Sequence, residues 1–175
     1  MERQTITIEQ CDFPAFRIWN GWLLLTAGDY PSGHFNMMTV SWGFMGIIWN
    51  RPIIQAVVRP TRHTYGFMEK AGDFTLSAFP QKYQPTLAML GSKSGRDIDK
   101  VKESGLTPLP GRKTKSPAFD EAELIIECRQ VYFNDLDPNH FLADYIQKEY
   151  NQDYHRFYFG EVLDIQGTRD YIRQG

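Results

Sequence analysis

Arginine, threonine and histidine crowd one short stretch of this 175-residue chain. In Arg59–Pro60–Thr61–Arg62–His63–Thr64, two forked guanidinium groups and two hydroxyls fall close together, a set suited to a dianionic phosphate that takes charge-assisted hydrogen bonds. The residues that follow, TYGFMEKAG, read as a short helix. Thr61 or Thr64 is placed to cap it, Lys70 falls in its last turn and Gly72 follows its end, so free N–H groups would face the same phosphate. Upstream, Met38 to Trp42 alternates in residue type. In a strand, Thr39 and Ser41 share one face while Met38, Val40 and Trp42 share the other. A third block, SKSGRDIDK, offers Ser94 as a helix cap, Gly95 for close backbone approach to a ligand, and Lys93, Arg96 and Lys100 as cations. Taken singly, these are also what a half-buried strand, a solvated turn and a capped surface helix would show. In this order along one chain they point to a flavin site.

The elements that must position these groups are mainly strands. Strand signals recur at Thr5 to Glu9, Trp22 to Ala27, Met37 to Gly43, Ile53 to Arg59, Phe74 to Phe79, Glu123 to Tyr132 and Phe157 to Ile165. Two further helical pieces are expected. One runs from Tyr83 to Leu90 and ends at Gly91; the other runs from Arg96 to Ser104 and ends at Gly105, with Asp97 and Asp99 early and Lys100 and Lys102 late, as the helix dipole favours. Thr107 to Pro117, with three prolines and three basic residues, reads as a surface loop. A chain of this length fits one domain over residues 1–175 and can bury roughly 70% of its unfolded surface.

Charge and cysteine usage narrow the function classes. Nineteen basic and 21 acidic residues leave a net charge of −2, without the basic footprint of a nucleic-acid binder. Cys11 and Cys128 lie far apart, with no CxxC and no histidine at metal-ligand spacing, so two reduced thiols and no metal site are expected, in a cytoplasmic protein. The N-terminus MERQTITIEQ reads as charged and strand-like rather than as a basic segment followed by an apolar one, and no apolar run approaches the ~18 residues of a membrane span.

Five blocks resemble the flavin reductase-like, FMN-binding split-barrel family, and within it the flavoredoxin-like members: Asn36–Trp42 (NMMTVSW), Arg59–Tyr65 (RPTRHTY), Gly91–Lys100 (GSKSGRDIDK), Glu121–Cys128 (EAELIIEC) and His155–Val162 (HRFYFGEV). They cover most of the chain between about residues 34 and 165. The resemblance implies a mainly β fold, a split β-barrel of Greek-key type with a few short helices, holding FMN. It carries Asn36, Trp42, Thr64 and Lys100 into the FMN site, then Thr39, Ser41, Arg59, Thr61 and Arg62, and after them Ser94, Gly95 and Arg96. Met38 and Val40 would offer main-chain groups to the ring edge, Trp42 would cover apolar ring surface, and Lys100 near the N1–O2 side would favour the anionic reduced flavin.

The family also places a histidine ahead of its late GEV strand, which makes His155 the catalytic candidate. Hydride transfer between nicotinamide and flavin needs no general base, so His155 would orient or polarise. The implied activity is FMN-dependent oxidoreduction with NADH or NADPH as transient donor, passing electrons to a small molecule or a redox partner protein. Two alternatives stand beside it: a flavoredoxin-like electron carrier without NAD(P)H activity, and a non-redox binding protein on the same barrel. No GxGxxG follows a strand, so a nicotinamide nucleotide would lie over the flavin without a Rossmann site of its own. A homodimer with the flavin near the subunit boundary is implied as well.

Overall fold

The computed structural model describes residues 2–14 and 16–174. Its strands are β1 (Gln4–Thr5), β2 (Leu23–Asp29), β3 (His34–Val40), β4 (Gly43–Ile48), β5 (Arg51–Val58), β6 (Asp73–Ala78), β7 (Pro108–Leu109), β8 (Ala118–Phe119), β9 (Leu124–Asp135) and β10 (Arg156–Gly167). The helices are α1 (Arg17–Gly21), α2 (His63–Met68), α3 (Gln84–Ser92), α4 (Lys100–Ser104) and α5 (Asp144–Gln147). The main sheet runs β3-β2-β6-β9-β10-β5-β4, with β1 added on β10, and its pairs are antiparallel.

Strand alternation sorts the core into two clusters. Leu23, Leu25 and Ala27 of β2 join Met38, Val40, Ile54, Ala56, Val58, Leu76 and Ile126 on the concave side of the sheet. Leu24, Met37 and Ile125 point the other way, onto Leu87 and Leu90 of α3 and Phe119 of β8. Because β2 is covered on both faces, LLLTA is buried without a break and does not alternate, Thr26 being its one polar member. Each fully buried leucine contributes roughly 1.5–3 kcal/mol over an exposed one.

The sheet curls on itself but does not close. β3 and β4 are its two ends, and only Ser41 and Trp42 lie between Val40 and Gly43 in the chain. The strand expected over Met37–Gly43 therefore ends early, and β4 is a separate element that the sequence pattern did not announce. Two features hid it. Phe44, Ile47 and Ile48 are apolar yet exposed, and the β4–β5 hairpin turns at Trp49–Asn50, where φ is 54° at both residues; a two-residue turn of this kind normally carries Asn-Gly or Asp-Gly.

Other expectations shift for local reasons. The first strand stops at Thr5 because Thr7 and Gln10 exchange side-chain and main-chain hydrogen bonds in a turn. The helix expected over Arg96–Ser104 begins only at Lys100, where Asp99 caps it by accepting from the Lys102 N–H at 3.1 Å; Gly105 ends it in the left-handed region (φ 65°), as expected. The Thr107–Pro117 segment is not a loose surface loop. Its residues Arg112 to Ser116 are latched onto carboxylates of β9 and β6, Glu127 and Asp73. Both cysteines are free thiols, the described residues contain no cluster that could hold a metal, and no helix among them is long and apolar enough to cross a membrane.

Candidate functional site

The open seam of the barrel forms a cleft of about 220 Å³. Its walls are Met38 to Trp42 from the end of β3 and the link beyond it, Val57 of β5, Arg59 and Arg62 of the following turn, and His155 just ahead of β10. The position follows from topology. Among the described residues β3 has β2 as its only strand neighbour, so the cleft-side edge of β3 lacks a ladder partner there and presents main-chain polar groups to whatever fills the seam.

Eight of the fifteen residues singled out from sequence line this cleft directly: Met38, Thr39, Val40, Ser41, Trp42, Arg59, Arg62 and His155. Met38 and Val40 send their side chains into the barrel core and so can offer a ligand only main-chain groups. The Thr39 hydroxyl donates to the Leu87 carbonyl at 2.5 Å and ties β3 to α3. Trp42 is 43% exposed, with its ring 5.1 Å from that of His155 at 46°. These two rings form the apolar wall.

The two arginines of the turn have opposite fates. Arg59 Nη1 meets both Asp153 carboxylate oxygens at 3.1 and 3.0 Å, its Nη2 donates to the Glu149 carbonyl at 2.7 Å, and the guanidinium lies 5.0 Å from the Tyr150 ring centre. The Arg62 guanidinium reaches the same cleft with no hydrogen-bond or ion-pair partner among the described residues. Arg59 and Arg62, both expected at the phosphate, thus differ: Arg59 holds the 149–153 segment, and the Arg62 guanidinium is uncommitted among the described residues.

The remaining seven residues form a layer behind the cleft wall. Asn36 Nδ2 donates to Thr64 Oγ1 at 2.8 Å, and both residues are buried. Thr64 is thus not the cap of α2, and Thr61 is not either, because Arg62 holds the cap position without a side-chain bond. Lys70 lies beyond the last residue of this six-residue helix. Gly95 packs on Asn36 so closely that a Cβ would come 2.3 Å from Asn36 Oδ1, so any larger residue would displace the turn. Ser94 caps that turn rather than a helix, accepting from the Arg96 N–H at 3.1 Å, while Arg96 Nη1 reaches the Thr61 carbonyl at 3.3 Å. Lys100 is buried as well. Its ammonium donates to the Met37 and Leu90 carbonyls at 2.9 and 2.7 Å, and burial, with Arg62 adding like charge, lowers its pKa to about 8. Lys100 does not line the cleft. It braces β3 against α3.

His155 is 9% exposed, and its Nδ1 lies 2.9 Å from the Tyr150 hydroxyl. Burial, reinforced by the positive charge of Arg59, holds its pKa down to about 4, with Asp153 pulling weakly the other way. The imidazole is therefore neutral near pH 7. His63, beside Arg62, is likewise held below its ordinary value by burial and then by Arg96 and Lys100, a sign of the positive field around the turn.

Two contributors escaped the sequence reading. Val57 sits in the run IIQAVV, which lacks alternation and so assigns no face. Tyr150, which orients His155, belongs to no motif; only the Arg59–Asp153 pairing brings its segment back over the cleft.

Residues 16–172 match the model of the flavin reductase-like domain. The chain belongs to the flavin reductase-like family. Its architecture agrees with solved members of that family: a flavoredoxin of Desulfovibrio vulgaris (Miyazaki F) superposes with a TM-score of 0.68 at 22% identity, covering 94% of this chain and 75% of that one. An FMN-binding protein of Thermus thermophilus with bound p-hydroxybenzaldehyde gives 0.65 at 20% identity, over 85% and 71% of the two chains. An NADH:FAD oxidoreductase of Streptomyces globisporus C-1027 gives 0.65 at 14% identity, over 93% and 80%. At these identities the likeness is one of fold. In sequence, an uncharacterised protein of Pyrococcus abyssi is 32% identical over 110 residues, and the chain spans 58% of that relative's length. This flavin reductase-like chain is accordingly a mainly antiparallel split barrel with a few short helices.

Proposed function

We propose that the chain is a flavoprotein that binds FMN in the seam and passes electrons from NADH or NADPH to an acceptor. The observation that carries this reading is Arg62, a guanidinium with no protein partner, facing a cleft whose opposite wall is the Trp42–His155 ring pair. The donor set fits the group. Arg62 and the Ser94–Gly95–Arg96 turn stand at the cationic end for a phosphate, the unpaired edge of β3 from Met38 to Ser41 can pair with a pyrimidine edge, and Trp42 offers ring surface.

A bound flavin supplies the redox chemistry. The chain's part is positioning. Asn36, Thr64 and Gly95 fix the spacing between β3 and the phosphate turn, and Lys100 fixes β3 against α3. Arg59, through Asp153 and the Tyr150 segment, holds a neutral His155 beside Trp42, where it orients an incoming nicotinamide and transfers no proton. Purified protein released into denaturant should yield FMN by mass spectrometry, and anaerobic NADH or NADPH should bleach the bound form. Bleaching by dithionite but by neither nucleotide would assign the electron-carrier role instead, and the absence of any FMN affinity would refute the proposal.

We further propose that the flavoprotein is a homodimer. Phe44, Trp49, Tyr132 and Ile48 are 73, 59, 44 and 40% exposed on the outer side of β4, its hairpin and β9, a large apolar area for a lone chain. Within it Gln55, opposite Phe44 and Phe159, is buried, and its Oε1 has no hydrogen-bond partner, a lack that a donor from a second copy would meet. Sedimentation should give twice the chain mass; a monomer saturated with FMN would contradict this.

A further inference from the structure

A second concavity, of about 350 Å³, lies at the far end of α2 from the cleft, lined among others by Asp29, His34, Phe67, Lys70 and Lys115. A row of rings leads to it from the phosphate turn. His63, next to Arg62, meets Phe67 edge-on at 5.2 Å, and Phe67 meets His34 at 4.8 Å and 35°. Helix α2, which carries this row past its outer side, has six residues and spans roughly 9 Å, about the reach of a pyrophosphate and one ribose. The ammonium groups of Lys70 and Lys115 have no hydrogen-bond or ion-pair partner among the described residues. Of the two carboxylates at the rim, Asp73 has both oxygens engaged by the Lys115 and Ser116 N–H groups, whereas Asp29 is held below the ordinary carboxylate range by hydrogen bonds from the Ser32 side chain and N–H, with the charges of Lys115 and His34 adding to them.

Resting on the flavin reading of the neighbouring cleft, we infer that this groove takes the adenosine 5′-phosphate half of a dinucleotide whose other half occupies the cleft. The purine stacks on His34 over Phe67, the Asp29 carboxylate accepts from a ribose hydroxyl or the purine amine, and Lys70 and Lys115 face the phosphate as it leaves the positive field of Arg62, Arg96 and Lys100. Asp29 and Asp73 offset part of the lysine charge, so the groove prefers a ligand that is part ring and part anion over free phosphate. Two ligands carry this half: FAD in place of FMN, and NADH or NADPH.

The test uses the double variant His34→Ala/Lys70→Ala, whose side chains are exposed and outside the cleft wall, and the single variant Lys115→Ala. FMN and FAD affinities are measured by fluorescence titration, and NADH and NADPH affinities by titration of the FMN-saturated protein. We expect FMN affinity within about twofold of wild type, with about a tenfold or greater loss for FAD if FAD supplies the adenylate, or for the nicotinamide nucleotides if they do. Equal losses for FMN and FAD, or no loss for any dinucleotide, overturn the inference. Failure of the wild-type chain to bind FMN at all would sink the flavin reading itself, which the FMN arm reports separately.

Discussion

Glu127 and Arg62 are both charged side chains set against the barrel, and they differ in how their charge is met. Glu127 is fully buried. Its carboxylate accepts from the N–H groups of Arg112, Lys113 and Thr114 at 2.9, 2.7 and 3.0 Å, from the Thr114 hydroxyl at 2.9 Å and from Gln166 at 3.3 Å. The Arg62 guanidinium, at the seam, has no partner among the described residues. A buried charge survives only where its hydrogen bonds are made, so the latch around Glu127 is a structural device. A cation left uncommitted beside a cleft costs little where water reaches it and keeps its full capacity for an incoming anion. Saturation marks the part of the molecule that holds the fold, and its absence marks the part that waits for a ligand.

The sharpest way to break this comparison is Glu127→Ala, which strips three main-chain donors of their acceptor at once. We expect a loss of about 3–5 kcal/mol in urea unfolding, with FMN affinity of the folded fraction unchanged. A loss below about 1 kcal/mol would mean that water replaces the latch without cost.

His155 lies between the two extremes, since its ring is buried yet lines the cleft. Its folded pKa of about 4 lies below the unfolded reference of about 6.5, so between these values the unfolded chain binds the extra proton. Stability should therefore be full above pH 6.5 and fall with acidification towards pH 4, by up to about 3 kcal/mol from this residue. His155→Gln should remove that component from the stability–pH curve while keeping much of the rate of flavin reduction. A reduction rate in the wild type that follows an ionisation near 6.5 and loses it in the variant would make His155 a proton donor after all.

Arg62→Ala tests the uncommitted side. FMN affinity should drop roughly ten- to a hundredfold, with the urea midpoint hardly moved. Arg59→Ala should do the reverse of what its place in the same turn suggests. It frees the Glu149–Asp153 segment, lowers stability and slows reduction through His155, with a smaller effect on FMN affinity than Arg62→Ala.

The smallest effect is expected for Tyr150→Phe, which removes one hydroxyl from His155 Nδ1. About 1 kcal/mol of stability should go, and FMN binding should remain. Unchanged stability together with unchanged reduction kinetics would show that the Trp42 contact suffices to hold the imidazole.

Much of this molecule is legible in its sequence because the signals are local. Unbroken runs set β2 and the start of β9, alternation sets β3 and β6, Gly105 ends α4 where a left-handed residue is needed, and the guanidinium–hydroxyl cluster at residues 59–64 is of a type suited to an anion. Chain order added the family resemblance. What the tertiary structure alone decided depends on residues far apart in sequence. The seam between β3 and β4 arises because a sheet of these strands curls until its ends meet without pairing, and neither strand's pattern encodes that gap. Arg59 and Arg62 are the same residue type three positions apart, yet the return of Asp153, 94 residues later, engages the first, while the guanidinium of the second has no partner among the described residues. Lys100 likewise reads as a surface cation beside a cap, and becomes a buried brace only because the Met37 and Leu90 carbonyls converge on it. Propensity and residue chemistry act within a few positions of each other, whereas the partner that uses up a charge is chosen by packing across the fold.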